Sequence, residues 1–131
     1  MKTIISFDFD STLTQEKIQQ VAVALIKRNF EVWIVTSRFD NLHRLPYKDL
    51  KPNADVFALA DKLGILPHRI GFTNQQPKWI LLNNSGIQVH VDDDLGELKY
   101  LAYYGIVKGF NCNSERFKED LENYIEAIEN F

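Results

Sequence analysis

The chain has 131 residues, of which 45% are hydrophobic and 25% charged, and its formal net charge is −3. This length suits one domain over residues 1–131, and the composition excludes a disordered or fibrous protein. The net charge gives no support for nucleic acid binding. The early acidic residues interrupt any export signal or membrane span. Because the chain also has a lone cysteine, Cys112, which cannot form an internal disulfide, it is expected to be cytoplasmic.

Five apolar segments of strand length alternate with segments of helical period. In chain order they predict strands over residues 3–7, 32–35, 69–73, 87–91 and 105–110. The continuous apolar run of the second segment is typical of a central parallel strand that is covered on both faces. This alternation predicts an α/β fold, a doubly wound, Rossmann-like and mainly parallel five-stranded sheet with helices on both faces.

Helices are predicted between these strands and after the last one. An apolar stripe from Ile18 to Ile26 indicates the first helix, and a second stripe ends at Leu63, before a left-handed stop at Gly64. Pro77 suits the first position of a short helix that ends before Gly86. The remaining signals are a capping box that opens a fourth helix, Asp94 with Glu97, and a final apolar stripe, Phe117, Leu121, Ile125 and Ile128.

Acidic residues follow two of the predicted strands. Asp8 and Asp10 are two apart, which places them on one side of the first strand, and residues 92–94 are all Asp after the fourth strand. The carboxyl ends of parallel strands meet at one edge of a sheet, so these acids should gather there. Because crowded carboxylates are costly unless a cation compensates, and because oxygen ligands suit Mg²⁺, the sequence predicts a magnesium site.

The order of the polar motifs resembles that of the haloacid dehalogenase superfamily over nearly the whole chain. The motifs are Asp8-Phe9-Asp10-Ser11-Thr12, Val35-Thr36, Lys78 and Asp92-Asp93. The resemblance implies a phosphatase in which Asp8 is the nucleophile that forms an aspartyl phosphate and Asp10 is the general acid and base. It also implies groups that bind or neutralise the phosphoryl group: Ser11, Thr12, Thr36, Ser37 and Lys78.

The same resemblance implies a Mg²⁺ ion. A carboxylate oxygen of Asp8, the backbone carbonyl of Asp10 and a carboxylate of Asp92 would hold the ion, with Asp93 beside them. Neither usual insertion point holds a cap domain, which implies open access for a phosphorylated small molecule or for a phosphate exposed on a macromolecule. Members of this superfamily without a cap domain also use a second copy of the chain as a lid, so a homo-oligomer is the other arrangement that the resemblance implies.

Several alternatives stay open at this stage. Lys51, which precedes Pro52, also matches the lysine motif locally, but chain order favours Lys78. The polar loop over residues 38–51 is either a solvated connector or a substrate contact. His90 is expected to be a hydrogen-bonded structural histidine. A receiver-like domain would need a different motif order, and a non-catalytic phosphate-binding module would be expected to lack one of the acids.

Overall fold

The computed structural model describes residues 2–40 and 53–130. Its strands are β1 (Ile4–Phe7), β2 (Glu31–Thr36), β3 (Ile70–Phe72), β4 (Val89–Asp92) and β5 (Lys108–Asn111). Its helices are α1 (Glu16–Lys27), α2 (Ala54–Leu63), α3 (Lys78–Asn83), α4 (Leu95–Tyr104) and α5 (Phe117–Glu129). Every predicted strand and helix is therefore present among the described residues.

The five strands form one parallel sheet in the order β3-β2-β1-β4-β5. The chain order reverses around β1, which lies between β2 and β4, and such a switch point is where open α/β sheets bind ligands. Receiver domains have the order 2-1-3-4-5 instead, so the receiver alternative is wrong in topology. Within the described residues, helices long and apolar enough to cross a membrane are absent.

Two groups of buried apolar side chains cover the two faces of the sheet. Phe7 and Ile34 pack with residues of α1, α2 and α5, whereas Val35 packs on the other face with Leu82 of α3 and Leu101 of α4. Neighbouring residues Ile34 and Val35 thus face opposite sides, as a pleated strand requires. The predicted doubly wound fold with helices on both faces is confirmed.

Some predicted boundaries and caps differ in detail. Gly64 has φ 86° and ends α2 as expected, but Pro77 precedes α3 rather than opening it. The Asp94 side chain accepts the N–H groups of Gly96 and Glu97, as a capping residue does. The second half of the capping box is wrong, because the Glu97 carboxylate accepts the Lys78 N–H at 3.0 Å instead. A long-range contact has replaced a local one.

Four strands begin later than the sequence suggests, and the first of them begins at Ile4 rather than Thr3. The third starts at Ile70 because Pro67–Arg69 form a single 3₁₀ turn, and the fourth and fifth start at Val89 and Lys108. Only a turn over Phe9–Leu13 and α1 separate β1 from β2, and five residues separate β3 from α3. The described residues at both insertion points therefore contain no cap. Residues 41–51 of the predicted polar loop lie outside the described residues.

Candidate active site

Asp8 and Asp92 lie side by side at the carboxyl ends of two neighbouring strands. The Asp8 N–H donates to the carbonyl of Val91 at 2.8 Å, which extends the pairing of β1 and β4 up to the site. Leu13 N–H donates back to the Asp8 carbonyl at 3.1 Å and closes the turn that follows. Both acids are buried, with 5% and 0% of their surfaces exposed. Asp8 and Asp92 therefore meet at one edge of the sheet, as expected.

Lys78 joins these two acids. Its Nζ lies 2.7 Å from Asp8 Oδ1 and 2.7 Å from Asp92 Oδ2, and the residue is 3% exposed. Burial by itself would lower the pKa of Lys78, but the adjacent Asp8 and Asp92 raise it, so the side chain is an ammonium. Chain order therefore predicted the position of Lys78 correctly. Lys51 lies outside the described residues.

Thr12 connects Asp8 to a third carboxylate. Its Oγ1 is 3.2 Å from Asp8 Oδ2 and 3.1 Å from Asp93 Oδ1. The single hydroxyl proton can serve only one of these oxygens at a time. The resemblance implies a phosphate contact for Thr12, whereas here its buried hydroxyl lies between two carboxyl groups and donates to one of them at a time.

The three carboxylates form a donor set for a cation. Asp8, Asp92 and Asp93 each offer an oxygen, and these oxygens lie within 4.8 Å of one another. Of the described side chains that contact Asp8 or Asp92, Lys78 brings one full positive charge to these three carboxyl groups. A hard divalent cation prefers oxygen ligands and would offset the remaining charge, so the residues present fit Mg²⁺.

The pKa values of the two buried acids move in opposite directions. Burial raises the pKa of Asp8 to about 8; Lys78 opposes the rise and the charge of Asp92 adds to it. Burial also acts to raise the pKa of Asp92, but the hydrogen bond from His90 and the charge and hydrogen bond of Lys78 outweigh it and hold that pKa well below the usual range. Asp92 is therefore ionised at neutral pH, and Asp8 ionises readily only with a further cation nearby.

Asp10 lies outside this trio of carboxylates. Arg38 holds it with two hydrogen bonds, from Nε to Oδ2 at 2.9 Å and from Nη2 to Oδ1 at 2.7 Å. Arg38 also makes two hydrogen bonds to Asp55, at 2.7 and 3.0 Å, and its guanidinium lies 4.9 Å above the Phe9 ring. The sequence drew attention to Arg38 as a loop residue, but it did not predict either carboxylate partner.

The remaining predicted phosphate-binding residues lie at the same edge. Thr36 ends β2, next to β1, and its buried Oγ1 accepts the Arg38 N–H at 3.3 Å. Ser37 is half-buried, and its carbonyl accepts the backbone and side-chain N–H groups of Gln75 at 2.7 and 3.0 Å. Ser11 is exposed, with φ 61° in the turn after Asp10. These residues border the trio without belonging to it.

His90 is hydrogen-bonded, as the sequence suggested, and one of its partners belongs to the site. Its Nε2 is 2.8 Å from Asp92 Oδ2 and its Nδ1 is 2.7 Å from Ser6 Oγ. Burial lowers the pKa of His90, although Asp92 acts in the opposite direction. The imidazole is therefore neutral at neutral pH. Strand alternation places His90 and Asp92 on one side of β4, but the sequence gave no sign that Ser6 would be the second partner of this histidine.

The fold and the site define a doubly wound α/β protein with a carboxylate and lysine centre at its switch point. No protein-family model matches this chain, and no curated protein matches it either. The interpretation of the site therefore depends on its motifs, its geometry and the chemistry of its residues.

Proposed function

We propose that this chain is a Mg²⁺-dependent phosphomonoester hydrolase that acts through an aspartyl phosphate on Asp8. One observation carries the proposal: Asp8, Asp92 and Asp93 gather within 4.8 Å at the switch point of the sheet, with Lys78 Nζ 2.7 Å from both Asp8 and Asp92. Paired acids with a buried lysine at this position suit phosphoryl transfer, in which most of the catalysis is positioning and charge stabilisation.

Asp8 is the proposed nucleophile. A carboxylate oxygen of Asp8 forms a bond to phosphorus while the bond from phosphorus to the leaving oxygen breaks, and water then attacks phosphorus to release phosphate and restore the carboxylate. Lys78 contacts Asp8 directly, so its ammonium would offset charge that develops on the phosphoryl oxygens. Hydroxyl and amide groups of Thr36 and Ser37 are the proposed ligands of those oxygens, together with the amides of Ser11 and Thr12.

Asp8, Asp92 and Asp93 are the side chains that would hold Mg²⁺, and the resemblance adds the backbone carbonyl of Asp10. When bound, the ion would neutralise charge on Asp8 and on the phosphoryl group. Nucleophilic attack depends on the ionised form of Asp8, and burial disfavours that form by raising the pKa of Asp8. A cation next to Asp8 would therefore favour the nucleophile.

Asp10 is the proposed general acid and base. Its side chain is 50% exposed at the rim of the site, where a leaving group would meet solvent. Arg38 grips both of its oxygens and thereby fixes the direction of the carboxylate. In the first step Asp10 would donate a proton to the leaving oxygen, and in the second the same carboxylate would take a proton from the attacking water.

The proposed substrate class follows from the open edge of the sheet. Because the described residues place no cap over the site, a phosphorylated small molecule and a phosphate on a macromolecule both have access. A homo-oligomer in which a second copy acts as a lid belongs to the same proposal. We also propose a cytoplasmic location, for which the support is that the single cysteine of the chain, Cys112, is buried and free.

The test is chemical trapping of the intermediate. Purified protein with Mg²⁺ is screened against nucleotides, sugar phosphates, phosphopeptides and phosphorylated DNA ends, and the best substrate is then mixed with enzyme, quenched and treated with borohydride. Reduction of an aspartyl phosphate should convert Asp8 to homoserine, which peptide mass spectrometry detects. Turnover without this conversion would contradict the mechanism, and phosphate binding without any turnover would favour the non-catalytic module.

A further inference from the structure

A row of buried polar side chains runs beneath the proposed site. Ser6 of β1 and His90 of β4 are directly paired in the sheet, and they are 0% and 1% exposed. Ser6 Oγ contacts His90 Nδ1 at 2.7 Å, His90 Nε2 contacts Asp92 Oδ2 at 2.8 Å, and Lys78 Nζ contacts the same oxygen at 2.7 Å. Burying an imidazole and a hydroxyl in a sheet is costly unless each hydrogen bond is made.

The chemistry of the partners assigns each proton in this row. An ionised carboxylate can only accept, so His90 Nε2–H donates to Asp92. Nδ1 of the neutral imidazole is then an acceptor, and the Ser6 hydroxyl donates to it. The competing acceptor for Ser6, the Val89 carbonyl, lies farther away at 3.4 Å. Ser6 therefore selects the tautomer that presents an N–H group to Asp92.

Hydrogen bonds hold the Asp92 carboxylate from several sides. Asp92 Oδ2 accepts from His90 and Lys78, and Oδ1 accepts from the Asp94 N–H at 3.0 Å. Lys78 also contacts Asp8, so its position depends on both acids, whereas His90 contacts Asp92 alone of the three proposed metal ligands. His90 is thus the side-chain donor that fixes Asp92 independently of Asp8, beside the backbone N–H of Asp94.

We infer that His90, oriented by Ser6, is a positioning residue that holds Asp92 in the direction needed to bind a divalent cation. The inference depends on the metal site of the proposed function. Its physical basis is general: groups that hydrogen-bond to metal ligands orient them, and removing such groups typically weakens metal binding about 10- to 100-fold. A histidine that served only to fill space would be replaceable without effect on the metal.

The experiment compares two substitutions of similar polarity and different reach. The amide nitrogen of glutamine can take the place of Nε2, whereas that of asparagine is too short and corresponds to Nδ1. We measure Mg²⁺ binding by titration calorimetry and by the Mg²⁺-dependent rise in melting temperature for His90→Asn, His90→Gln and Ser6→Ala. His68→Asn, on the exposed turn before β3, is the matched control.

We expect His90→Asn to weaken Mg²⁺ binding by about 10- to 100-fold, His90→Gln to recover most of the affinity, and Ser6→Ala to lose less than His90→Asn. At saturating Mg²⁺ the kcat of His90→Asn should approach that of the wild type. The defect should therefore appear as a higher Mg²⁺ concentration needed for half-maximal activity. His68→Asn should bind as the wild type does.

A folded His90→Asn protein with wild-type Mg²⁺ affinity would overturn the inference. Should His90→Asn fail to fold, Ser6→Ala decides: weakened binding supports the inference and unchanged binding overturns it. Absence of Mg²⁺ binding in the wild type would instead contradict the metal site of the proposed function, and the inference with it. The two failures are thus distinguishable, and neither calorimetry nor the melting temperature requires a known substrate.

Discussion

Two ion-pair clusters lie at the same edge of the sheet and differ in their exposure to solvent. In the first, Lys78 joins Asp8 and Asp92, and these side chains are 4%, 8% and 0% exposed. In the second, a 9% exposed Arg38 joins Asp10 and Asp55, whose side chains are 50% and 41% exposed. Both clusters therefore consist of one buried cation with two carboxylates, but only the second keeps its carboxylates in water.

The difference determines what each cluster can do without a metal ion. Water stabilises half-exposed carboxylates, so the pairs around Arg38 need little further compensation and contribute modestly to stability. Desolvation is severe for the buried acids, and burial raises the pKa of Asp8 to about 8 despite its contact with Lys78. The buried cluster is the one that gains most from a divalent cation, and five measurements test this contrast.

The largest expected effect is that of Asp8→Asn on turnover. Asparagine nearly preserves the shape of Asp8 and removes the nucleophilic charge, so activity should fall to background while the far-UV circular dichroism spectrum is retained. Rates with the best substrate are measured for both proteins after identical purification. Full activity in a pure Asp8→Asn protein would exclude Asp8 as the nucleophile.

Lys78→Ala should reduce kcat by orders of magnitude and also destabilise the protein. Loss of the lysine leaves Asp8 and Asp92 without their shared cation, and breaking a buried pair in this way costs about 3–5 kcal/mol of unfolding free energy. Urea unfolding and steady-state kinetics are compared with those of Lys51→Ala, for which we expect at most a change in KM. A catalytic collapse confined to Lys51→Ala would overturn the assignment of the lysine.

Mg²⁺ should stabilise the folded protein. A ligand at about a hundred times its dissociation constant contributes about 2.7 kcal/mol to the free energy of unfolding, and scanning calorimetry with and without Mg²⁺ measures it. Asp92→Ala should remove most of this gain because it removes the fully buried member of the trio. An unchanged melting temperature at saturating Mg²⁺ would contradict the metal site.

Without metal, stability should depend on pH through Asp8. Its pKa is about 8 in the folded protein against an ordinary 3.8, so the folded state binds more protons between these values and loses stability as pH rises. The lowered pKa of buried His90 opposes this trend below about 6.5. In chelator, the unfolding free energy should therefore fall from pH 6.5 to 8, by at most about 1.4 kcal/mol per pH unit.

The control for this titration is Asp8→Asn, which cannot ionise at that position. Its unfolding free energy should lack the fall between pH 6.5 and 8, and saturating Mg²⁺ should reduce the same fall in the wild type. Parallel curves for the two proteins in chelator would show that Asp8 does not carry the pH dependence.

The smallest expected effect belongs to the solvent-exposed cluster. Asp55→Asn should lower the free energy of unfolding by no more than about 1 kcal/mol, because its carboxylate is 41% exposed. Chemical denaturation of Asp55→Asn beside Lys78→Ala compares the two clusters directly. If Asp55→Asn lowered the free energy of unfolding as much as Lys78→Ala does, solvent exposure would not explain the difference between the two clusters.

Local patterns in the sequence determined the helices, the strands and the edge at which the acids meet. The continuous apolar run of β2 predicted a central strand, and Gly64 predicted the end of α2, because these features depend on residues close in the chain. Chain order also predicted that Lys78 would join Asp8 and Asp92, since a parallel βα arrangement brings strand ends and helix starts to one edge.

Only the tertiary structure decided which side chains meet across that edge. Arg38 pairs with Asp10 from 28 positions away, and Ser6 meets His90 across two strands from 84 positions away. The Glu97 carboxylate accepts the backbone N–H of Lys78 instead of making the local capping contact that the sequence predicted. Such contacts depend on side-chain direction and on competition between donors in three dimensions, and neither is encoded in the spacing of residues along the chain.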